Sequence, residues 1–324
     1  MTRAAKVLLL SSLISTPTSA QVDPQQTPSP PGILVAVGGH RLHLHCSGRG
    51  SPTVVLESGA GDFSFDWSLV QPALARVTRV CSYDRAGYAW SEPGPTPRTI
   101  RQIVAELHVL LTAARIAPPY VLVGHSLGGL IVRTYAVQHR TQVRGLVLIE
   151  ATHEDNPMML NGQLVLLRSL SRGREIPPAR FDAPATDSSA ASGGPQAPQS
   201  PTLEAPYDRL PPDIQRVRLW AMQQPGYAAR GSEFDYLAEE LSQMHEQRTR
   251  DPVPLGDLPL VVLTRKDAPA DHAGLQADLA RLSRDGKQII AATDDHHIQL
   301  GDPGAVINAV SDLVRAVRAR ARVR

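Results

Sequence analysis

The sequence is poor in cysteine, with only Cys46 and Cys81 in 324 residues. Two thiols without Cys-x-x-Cys spacing argue against a zinc site. Each cysteine lies in a short run typical of a strand. If the chain is exported, a disulfide between them becomes feasible, but the sequence leaves open whether they form a bridge or remain two buried thiols.

Excess charge of one sign is also absent, because 33 Lys and Arg residues face 31 Asp and Glu residues, a formal net charge of +2. The sequence therefore lacks the broad positive field expected of a nucleic-acid-binding protein. The basic residues that do cluster lie in the tail at 315–324, where cations suit the carboxyl end of a helix.

Long hydrophobic runs are missing as well, since none approaches the ~20 apolar residues that a spanning helix needs. We therefore expect no membrane span. We also find no cluster of metal-ligand residues and no glycine-rich loop long enough to hold a dinucleotide, and we expect no metal and no cofactor.

What the chain does have is length and apolar content, with 42% hydrophobic residues, enough for one large core in a single domain with an insertion. Residues 1–20 combine a basic start, an apolar section at 7–14 and small residues at 18–20, the pattern of a signal peptide. Residues 21–32 are rich in proline and predict a disordered tether. We therefore expect a secreted or periplasmic protein.

Strands and helices alternate along most of the chain, which predicts an α/β fold with a mostly parallel sheet covered on both faces. Eight short apolar runs predict the strands, at 33–37, 41–46, 53–56, 79–83, 120–123, 146–149, 260–263 and 288–292. Thr99, with Gln102 three residues on, predicts a capped helix start, and Asp302 with Pro303 predicts another.

The chain between the strands at 146–149 and 260–263 is about 110 residues long, far more than a connecting loop needs. We interpret residues 151–250 as an inserted lid over the site, with a helix over 232–248. Residues 183–206, rich in Pro, Ala, Ser and Gln, predict a flexible loop within it. The remaining core is expected at 33–150 and 251–324.

The most informative stretch is Gly124-His-Ser126-Leu-Gly128, which follows an apolar strand and precedes a helix. A strand-to-helix turn of this kind holds a serine hydroxyl clear of its neighbours, and small residues two positions away allow the sharp bend. We therefore place a nucleophile at Ser126.

A serine needs a histidine to take its proton and a carboxylate to hold that histidine. In the order Ser, acid, His, the acid should follow a later strand and the histidine the last one. Asp267 and His296 fit these positions. His297 remains an alternative base, and Glu150 and Asp271 remain alternative acids. More distant candidates for the base are His125, His245 and His272.

Together these motifs resemble the α/β-hydrolase fold superfamily, in its serine-nucleophile branch with a lid. The resemblance covers most of residues 33–318 outside the insertion and rests on four motifs: Leu-Glu-Ser-Gly-Ala-Gly at 56–61, Asp-Arg-Ala-Gly-Tyr-Ala-Trp-Ser at 84–91, Gly-His-Ser-Leu-Gly-Gly at 124–129, and His296 shortly before Asp302-Pro303.

By this resemblance Ser126 is the nucleophile, and the backbone N–H groups of Leu127 and Ala60, or less favourably Gly61, form the oxyanion hole. Ser58 stands where relatives usually carry histidine. Asp84 and Arg85 are expected to be structural.

The sequence thus predicts a carboxylesterase or lipase-like enzyme that acts on a hydrophobic ester through an acyl-enzyme. Two alternatives stay open: an amidase, aminopeptidase-like enzyme or carbon–carbon bond hydrolase with the same residues, and a binding protein of this fold with a silent triad.

Overall fold

The computed structural model describes residues 28–182 and 203–322. The predicted signal peptide and most of the tether and of the loop at 183–206 lie outside the described residues. Within these two ranges the chain forms ten strands: β1 Ile33–Val37, β2 His40–Ser47, β3 Thr53–Glu57, β4 Val80–Tyr83, β5 Tyr120–His125, β6 Val143–Ile149, β7 Pro157–Leu160, β8 Gln163–Leu166, β9 Leu260–Thr264 and β10 Gly286–Ile290.

The helices alternate with the strands as the apolar periodicity predicts. They are α1 Gln71–Leu74, α2 Ile100–Ala113, α3 Leu127–Gln138, α4 Pro212–Met222, α5 Leu237–Arg250, α6 Ala270–Ala280, α7 Ile298–Gly301 and α8 Pro303–Arg322. Short 3₁₀ helices occupy Ser64–Trp67, Leu167–Leu170, Tyr207–Arg209 and Pro225–Phe234.

Eight strands form one sheet in the order β1-β2-β4-β3-β5-β6-β9-β10. Strand β2 runs antiparallel to β1 and β4, and the remaining neighbours are parallel. This architecture confirms the predicted α/β-hydrolase fold with its mostly parallel eight-stranded sheet. The chain runs from β3 to β4 and then crosses over β3 to β5, which places the carboxyl end of β5 near the middle of the sheet, where such folds bind ligands.

Both faces of the sheet are covered, as its continuous apolar strands require. Alternate residues of one strand enter different cores: Val55 packs with α2 and α3 on one face, whereas Val54 and Leu56 pack with α1 and α8 on the other. Helix α5 of the inserted segment joins the first core through Leu237 and Leu241. The insertion is therefore anchored to the domain by buried apolar contacts.

The two cysteines form a disulfide, a point that the sequence left open. Cys46 on β2 pairs directly with Cys81 on β4. The bridge joins two neighbouring strands near one edge of the sheet.

The predicted helix starts are confirmed at their caps. Thr99 Oγ1 accepts a hydrogen bond from the N–H of Gln102 at 3.0 Å, and Asp302 Oδ1 accepts one from the N–H of Ala305 at 3.0 Å. The reciprocal half of the expected capping box is not formed, because Gln102 Oε1 accepts the N–H of Arg180 at 2.7 Å instead of that of Thr99.

The last helix of the insertion begins later in the structure than the sequence predicts. The helix begins at Leu237, five residues after the predicted start at Ser232, because Pro225–Phe234 forms a 3₁₀ helix. Within that stretch Glu233 turns inward to a buried arginine, as described below. None of the helices among the described residues is both long and apolar enough to cross a membrane.

Candidate active site

The turn between β5 and α3 has the conformation that its sequence predicts. Ser126 has φ 51° and ψ −119°, a conformation that side chains rarely adopt. The turn is held from both sides, because the N–H of Ser126 donates to Ile149 and its carbonyl accepts from Gly129 and Thr152. Ser126 is half-buried, whereas the strand residues that precede it are buried.

Two glycines make this turn sterically feasible. A Cβ on Gly124 would lie 2.5 Å from the carbonyl oxygen of Gly128, and a Cβ on Gly128 would lie 2.6 Å from that of Glu57. Helix α3 therefore approaches both β5 and the end of β3 more closely than any side chain allows. This close approach brings the helix N-terminus, with Ser126 at its cap, to the edge of the sheet.

Glu150 follows β6 directly and points its carboxylate toward the same edge. Its backbone has φ 43°, and its N–H donates to Leu263 on β9. The buried carboxylate accepts hydrogen bonds from the N–H and guanidinium of Arg265, both at 2.9 Å, and lies 3.0 Å from His272 Nε2.

The side chain of His296 meets the same carboxylate, with its Nδ1 3.5 Å from Glu150 Oε2. Burial disfavours the charge of Glu150, but the hydrogen bonds from His272, His296 and the N–H of Arg265 outweigh burial and hold its pKa well below the ordinary range. Glu150 is therefore an anion at neutral pH, and it faces the histidine predicted to be the base.

Backbone contacts place His296 beside the elbow. Its carbonyl oxygen lies 3.1 Å from Nε2 of His125, the residue before Ser126, and the two rings are 4.8 Å apart between centroids. The side chain of His296 is 39% exposed, whereas that of Glu150 is fully buried. The ring therefore lies between a buried anion and the open side of the site.

Asp267, the predicted acid, lies elsewhere. Its side chain is exposed and makes no hydrogen bond or ion pair with any residue of 28–182 or 203–322. Asp271, the weaker alternative, is also exposed, in the first turn of α6. The loop after β9 sends Arg265 toward the site instead, and its cation contacts Glu150. The structure thus brings His296 and Glu150 together beside the elbow that carries Ser126, and it leaves Asp267 outside.

His297, the alternative base, faces the opposite way. Its Nε2 lies 2.8 Å from the hydroxyl of Tyr207 and 3.5 Å from Asp62 Oδ2. The Tyr207 hydroxyl donates to Asp62 Oδ1 at 2.7 Å, and Arg218 lies 3.5 Å from the same oxygen. Both Tyr207 and Arg218 belong to the insertion.

Asp62, His125 and His297 of this second cluster have shifted pKa values. Burial opposes charge on His297, but the hydrogen bond and negative charge of Asp62 outweigh it and raise the pKa of His297. Burial also opposes charge on Asp62, but hydrogen bonds from His125 and His297 hold its pKa well below the ordinary value. Burial lowers the pKa of His125 to about 4, despite Asp62. His297 and Asp62 thus favour an ion pair, with His125 neutral.

Asp62, His125 and His297 also form a group whose ligand atoms lie within 4.8 Å of one another, so their geometry could accommodate a metal ion. Two imidazoles and a carboxylate suit a transition metal. However, the hydroxyl of Tyr207 and the guanidinium of Arg218 already satisfy Asp62. The hydrogen-bond network accounts for the arrangement without a cation.

The loop after β3, residues 58–62, lies opposite the elbow and is here called the β3 loop. Ser58 Oγ donates to the carbonyl of Phe63 and accepts from Trp67 Nε1, so this serine has a structural role within the loop. The N–H of Gly61 donates to the hydroxyl of Tyr88 at 3.3 Å. The N–H of Ala60 has no acceptor among the described residues, and Ala60 is exposed.

The N–H of Leu127 is the first of helix α3 and has no acceptor within the helix. Two backbone donors therefore remain available near Ser126, at Leu127 and Ala60. Asp84 accepts hydrogen bonds from Ser64 and pairs with His43, in agreement with the structural role expected for it. The remaining candidate base, His245, contacts Asp155 in the insertion.

Sequence reasoning missed the insertion side of the site. Tyr207, Arg218 and Glu233 reach the β3 loop or its supports over 145 to 156 positions of sequence. The available signals were weak: Asp62 ends the glycine-rich motif, and Arg218 lies among apolar residues of a helix.

Comparison with known proteins agrees with this fold. A family model for the alpha/beta hydrolase fold matches residues 52–303, which is most of the chain. The chain belongs to this family. The family assignment extends across both edges of the candidate site, from the β3 loop to the start of α8, and includes Ser126, Glu150 and His296.

Individual relatives match smaller parts. The chain is 34% identical over 129 residues to a probable transporter, efuK, of Hormonema carpetanum, covering 37% of this chain and 18% of that protein. It is 34% identical over 128 residues to the 2-hydroxymuconate semialdehyde hydrolase of a Pseudomonas strain, covering 39% and 45%. The first three curated relatives are covered over 18% to 42% of their lengths.

Among solved structures, the enol-lactonase of Burkholderia xenovorans has a TM-score of 0.60 at 19% identity, covering 87% of this chain and all of that one. This likeness extends over nearly the whole described chain and shows a shared fold.

Proposed function

We propose that this protein is a serine hydrolase that cleaves carboxylic esters through an acyl-enzyme on Ser126. The observation that carries the proposal is His296, whose Nδ1 faces the buried carboxylate of Glu150 and whose carbonyl contacts His125, the neighbour of the half-buried Ser126 at the positive-φ elbow. A serine, a histidine and an orienting carboxylate are the three parts that nucleophilic acyl transfer requires.

In the proposed reaction, Ser126 Oγ attacks the ester carbonyl carbon while His296 takes the hydroxyl proton. The carbonyl oxygen becomes an oxyanion, which accepts hydrogen bonds from the N–H groups of Leu127 and Ala60. The carbon–oxygen bond to the alcohol then breaks, and His296 returns the proton to the leaving alcohol. Water repeats the sequence to release the acid. Glu150 holds the His296 tautomer and stabilises its cation.

Glu150 replaces Asp267 as the proposed acid. The reason is geometric, since Glu150 contacts His296 and the side chain of Asp267 is exposed. The predicted nucleophile, base and oxyanion donors are retained in the proposal.

The contacts of the insertion support its proposed role as a lid over the site. Three of its side chains, Tyr207, Arg218 and Glu233, contact Asp62 or Arg85 beside the β3 loop, and Tyr227 donates to the carbonyl of Gly61. Apolar residues Met159, Leu164 and Phe234 of the same insertion are more than half exposed, which favours a hydrophobic substrate.

A second candidate is hydrolysis of a carbon–carbon bond, favoured by the match to a 2-hydroxymuconate semialdehyde hydrolase. The enol-lactonase likeness, in contrast, is to a protein whose named substrate class contains an ester. A panel of short and long acyl esters, lactones, amides and vinylogous diketones, each assayed with wild type and Ser126→Ala, separates these activities. Ester turnover by wild type only is the expected result.

Labelling with a fluorophosphonate probe tests the nucleophile directly. Wild type should form one covalent adduct at Ser126, located by mass spectrometry, and Ser126→Ala should form none. Labelling of the Ser126→Ala protein at full intensity would overturn the proposal.

We also propose that the protein is exported. The composition of residues 1–20 and the disulfide between Cys46 and Cys81 support export, because disulfides persist in oxidising compartments. N-terminal sequencing of protein from the native host should begin near Gln21. Recovery of chains that keep Met1 from the cytoplasm would contradict export.

A further inference from the structure

Arg85 is a buried cation in contact with both the β3 loop and the insertion. It follows β4 and is only 3% exposed. Its Nη1 donates to Glu57 Oε1 at 2.9 Å and to the carbonyl of Ser58 at 2.8 Å. Its Nη2 donates to the carbonyl of Gly59 at 2.7 Å. One guanidinium therefore holds two successive carbonyls of the loop.

The hydrogen bond to Gly59 has a direct consequence for the proposed oxyanion donor. The carbonyl of Gly59 and the N–H of Ala60 belong to the same peptide unit. A trans peptide is planar, with its carbonyl and N–H on opposite sides. When Arg85 holds the Gly59 oxygen, it therefore fixes the opposite direction for the Ala60 N–H, away from the guanidinium.

The insertion completes this contact through Glu233, which is 2% exposed. Arg85 Nε donates to Glu233 Oε1 at 2.6 Å, and Nη2 lies 3.2 Å from Oε2. The hydroxyl of Tyr88 donates to Glu233 Oε2 at 2.9 Å and accepts the N–H of Gly61 at 3.3 Å. Glu233 thus contacts two side chains that hold the peptides flanking Ala60. Arg85 holds the peptide between Gly59 and Ala60, and Tyr88 holds the peptide between Ala60 and Gly61.

Arg85 needs this carboxylate as a counter-charge. A buried guanidinium with an unpaired charge is costly, and its second partner, Glu57, is itself fully buried. Burial raises the pKa of Glu57 to about 7, since Arg85 and Tyr83 offset only part of the cost. Glu233 therefore supplies negative charge beside Arg85 that Glu57 alone does not fully provide.

We infer that Arg85 is a positioning residue for the oxyanion donor Ala60 and that Glu233 couples this donor to the docked insertion. When the insertion is docked, Glu233 holds Arg85 and Tyr88, and these hold the two peptides that flank Ala60. Without Glu233, Arg85 loses a carboxylate, and its hold on the Gly59 carbonyl, which orients the Ala60 N–H, weakens. The inference rests on the proposed serine hydrolase function and adds a link between the insertion and catalysis.

The test uses Glu233→Gln and Tyr88→Phe, which keep side-chain shape, with Arg85→Lys as a more severe variant. Two quantities are measured for each folded variant: kcat and KM for a nitrophenyl ester, and the inhibition constant of a trifluoromethyl ketone. This ketone adds Ser126 Oγ to its carbonyl and forms a stable oxyanion, so its affinity reports the oxyanion donors.

We expect Glu233→Gln to lower kcat by about tenfold or more, with KM within about twofold, because a misdirected oxyanion donor costs transition-state binding. The inhibition constant should rise by a similar factor. Tyr88→Phe should show a smaller change in the same direction. Active-site titration with the fluorophosphonate corrects each rate for the fraction of folded enzyme.

Arg133→Lys is the matched control, because Arg133 on α3 forms another buried ion pair, with Glu154, away from the β3 loop. It should lower thermal stability and leave kcat and the inhibition constant unchanged. If Glu233→Gln behaves in the same way, the Arg85 to Glu233 contact is only structural and the inference fails. Failure of the proposed function looks different, because wild type itself would then neither react with the probe nor hydrolyse esters.

Discussion

Two neighbouring histidines face opposite sides of the site and meet different carboxylates. His296 faces Glu150 at the end of β6, where its ring is 39% exposed. His297 faces Asp62 on the β3 loop, where Tyr207 of the insertion closes the cluster and only 17% of the ring is exposed. The strand β5 and its elbow separate the two carboxylates. The sequence offers two adjacent histidines as alternative bases, and of the two His296 has the more exposed ring.

The two histidine–carboxylate pairs differ in how many other hydrogen-bond and ion-pair partners they have. Asp62 has partners in His297, Tyr207, His125 and Arg218, so its cluster stabilises the contact between the insertion and the β3 loop. On the other side the ring of His296 keeps an exposed face. Adjacent residues of the same type thus differ in their contacts, and we propose a role in chemistry for His296 and a role in docking for His297.

The contrast between the two histidines is tested most strongly by replacing each of them with glutamine in turn. His296→Gln should lower kcat by at least about 10⁴-fold, because it removes the base. His297→Gln should lower kcat by no more than about tenfold, the effect of one or two lost hydrogen bonds. Steady-state ester hydrolysis measures both, and equal losses for the two variants would contradict the assignment.

The choice of acid is tested by a second matched pair. Glu150→Gln should lower kcat by about 10² to 10⁴-fold, because the amide no longer stabilises the His296 cation. Asp267→Asn should leave kcat within about twofold, since Asp267 is exposed. Hydrolysis rates of both variants at one pH decide the matter. A large loss in Asp267→Asn with little in Glu150→Gln would restore the acid predicted from the sequence.

The pH dependence of stability tests whether Glu150 is ionised in the folded protein. The pKa of Glu150 is lower in the folded protein than its ordinary value of 4.5, so its ionisation stabilises the fold above about pH 5. That contribution is lost as pH falls through the folded pKa. Relative to Glu150→Gln, wild type should be more stable by about 1–3 kcal/mol at pH 7.

This difference should shrink below about pH 4. Denaturant unfolding of both proteins at several pH values measures it. A gap that stays constant down to pH 3 would show that the charge of Glu150 does not contribute to stability.

The smallest effect is expected at the outer rim of the His297 side. Arg209 pairs with Asp295 at 3.1 Å, but the Arg209 side chain is 44% exposed. Exposed ion pairs contribute about 0.2–1 kcal/mol. Arg209→Ala should change the free energy of unfolding by less than about 1 kcal/mol and leave kcat unaltered. A loss of activity here would extend the site further toward the insertion than the contacts indicate.

Most of the fold could be predicted from the sequence because its signals are local. Apolar runs such as Thr53–Glu57 are buried at every position, and Thr99 caps its helix with its own hydroxyl. The elbow was equally local, since Gly124 and Gly128 stand where no side chain fits. The confirmed fold follows from these short-range patterns.

The rest could not be predicted because it depends on where loops turn in three dimensions. Asp267 and Glu150 both follow a strand and both have positive φ, so the sequence cannot distinguish them by position. What separates them is that Arg265 and His272 contact Glu150. The start of α5 was misplaced for a similar reason, because Glu233 contacts Arg85 across 148 positions of sequence.

The position of Glu150 also divides the catalytic machinery unevenly along the chain. Ser126 follows β5 and Glu150 follows β6, so both belong to one strand–helix–strand segment of the chain, and in the proposed triad the histidine comes from beyond the insertion. The turn after β9 still supports the proposed acid without Asp267, because its Arg265 donates two hydrogen bonds to Glu150. A loop grafted into that turn would therefore have to retain Arg265.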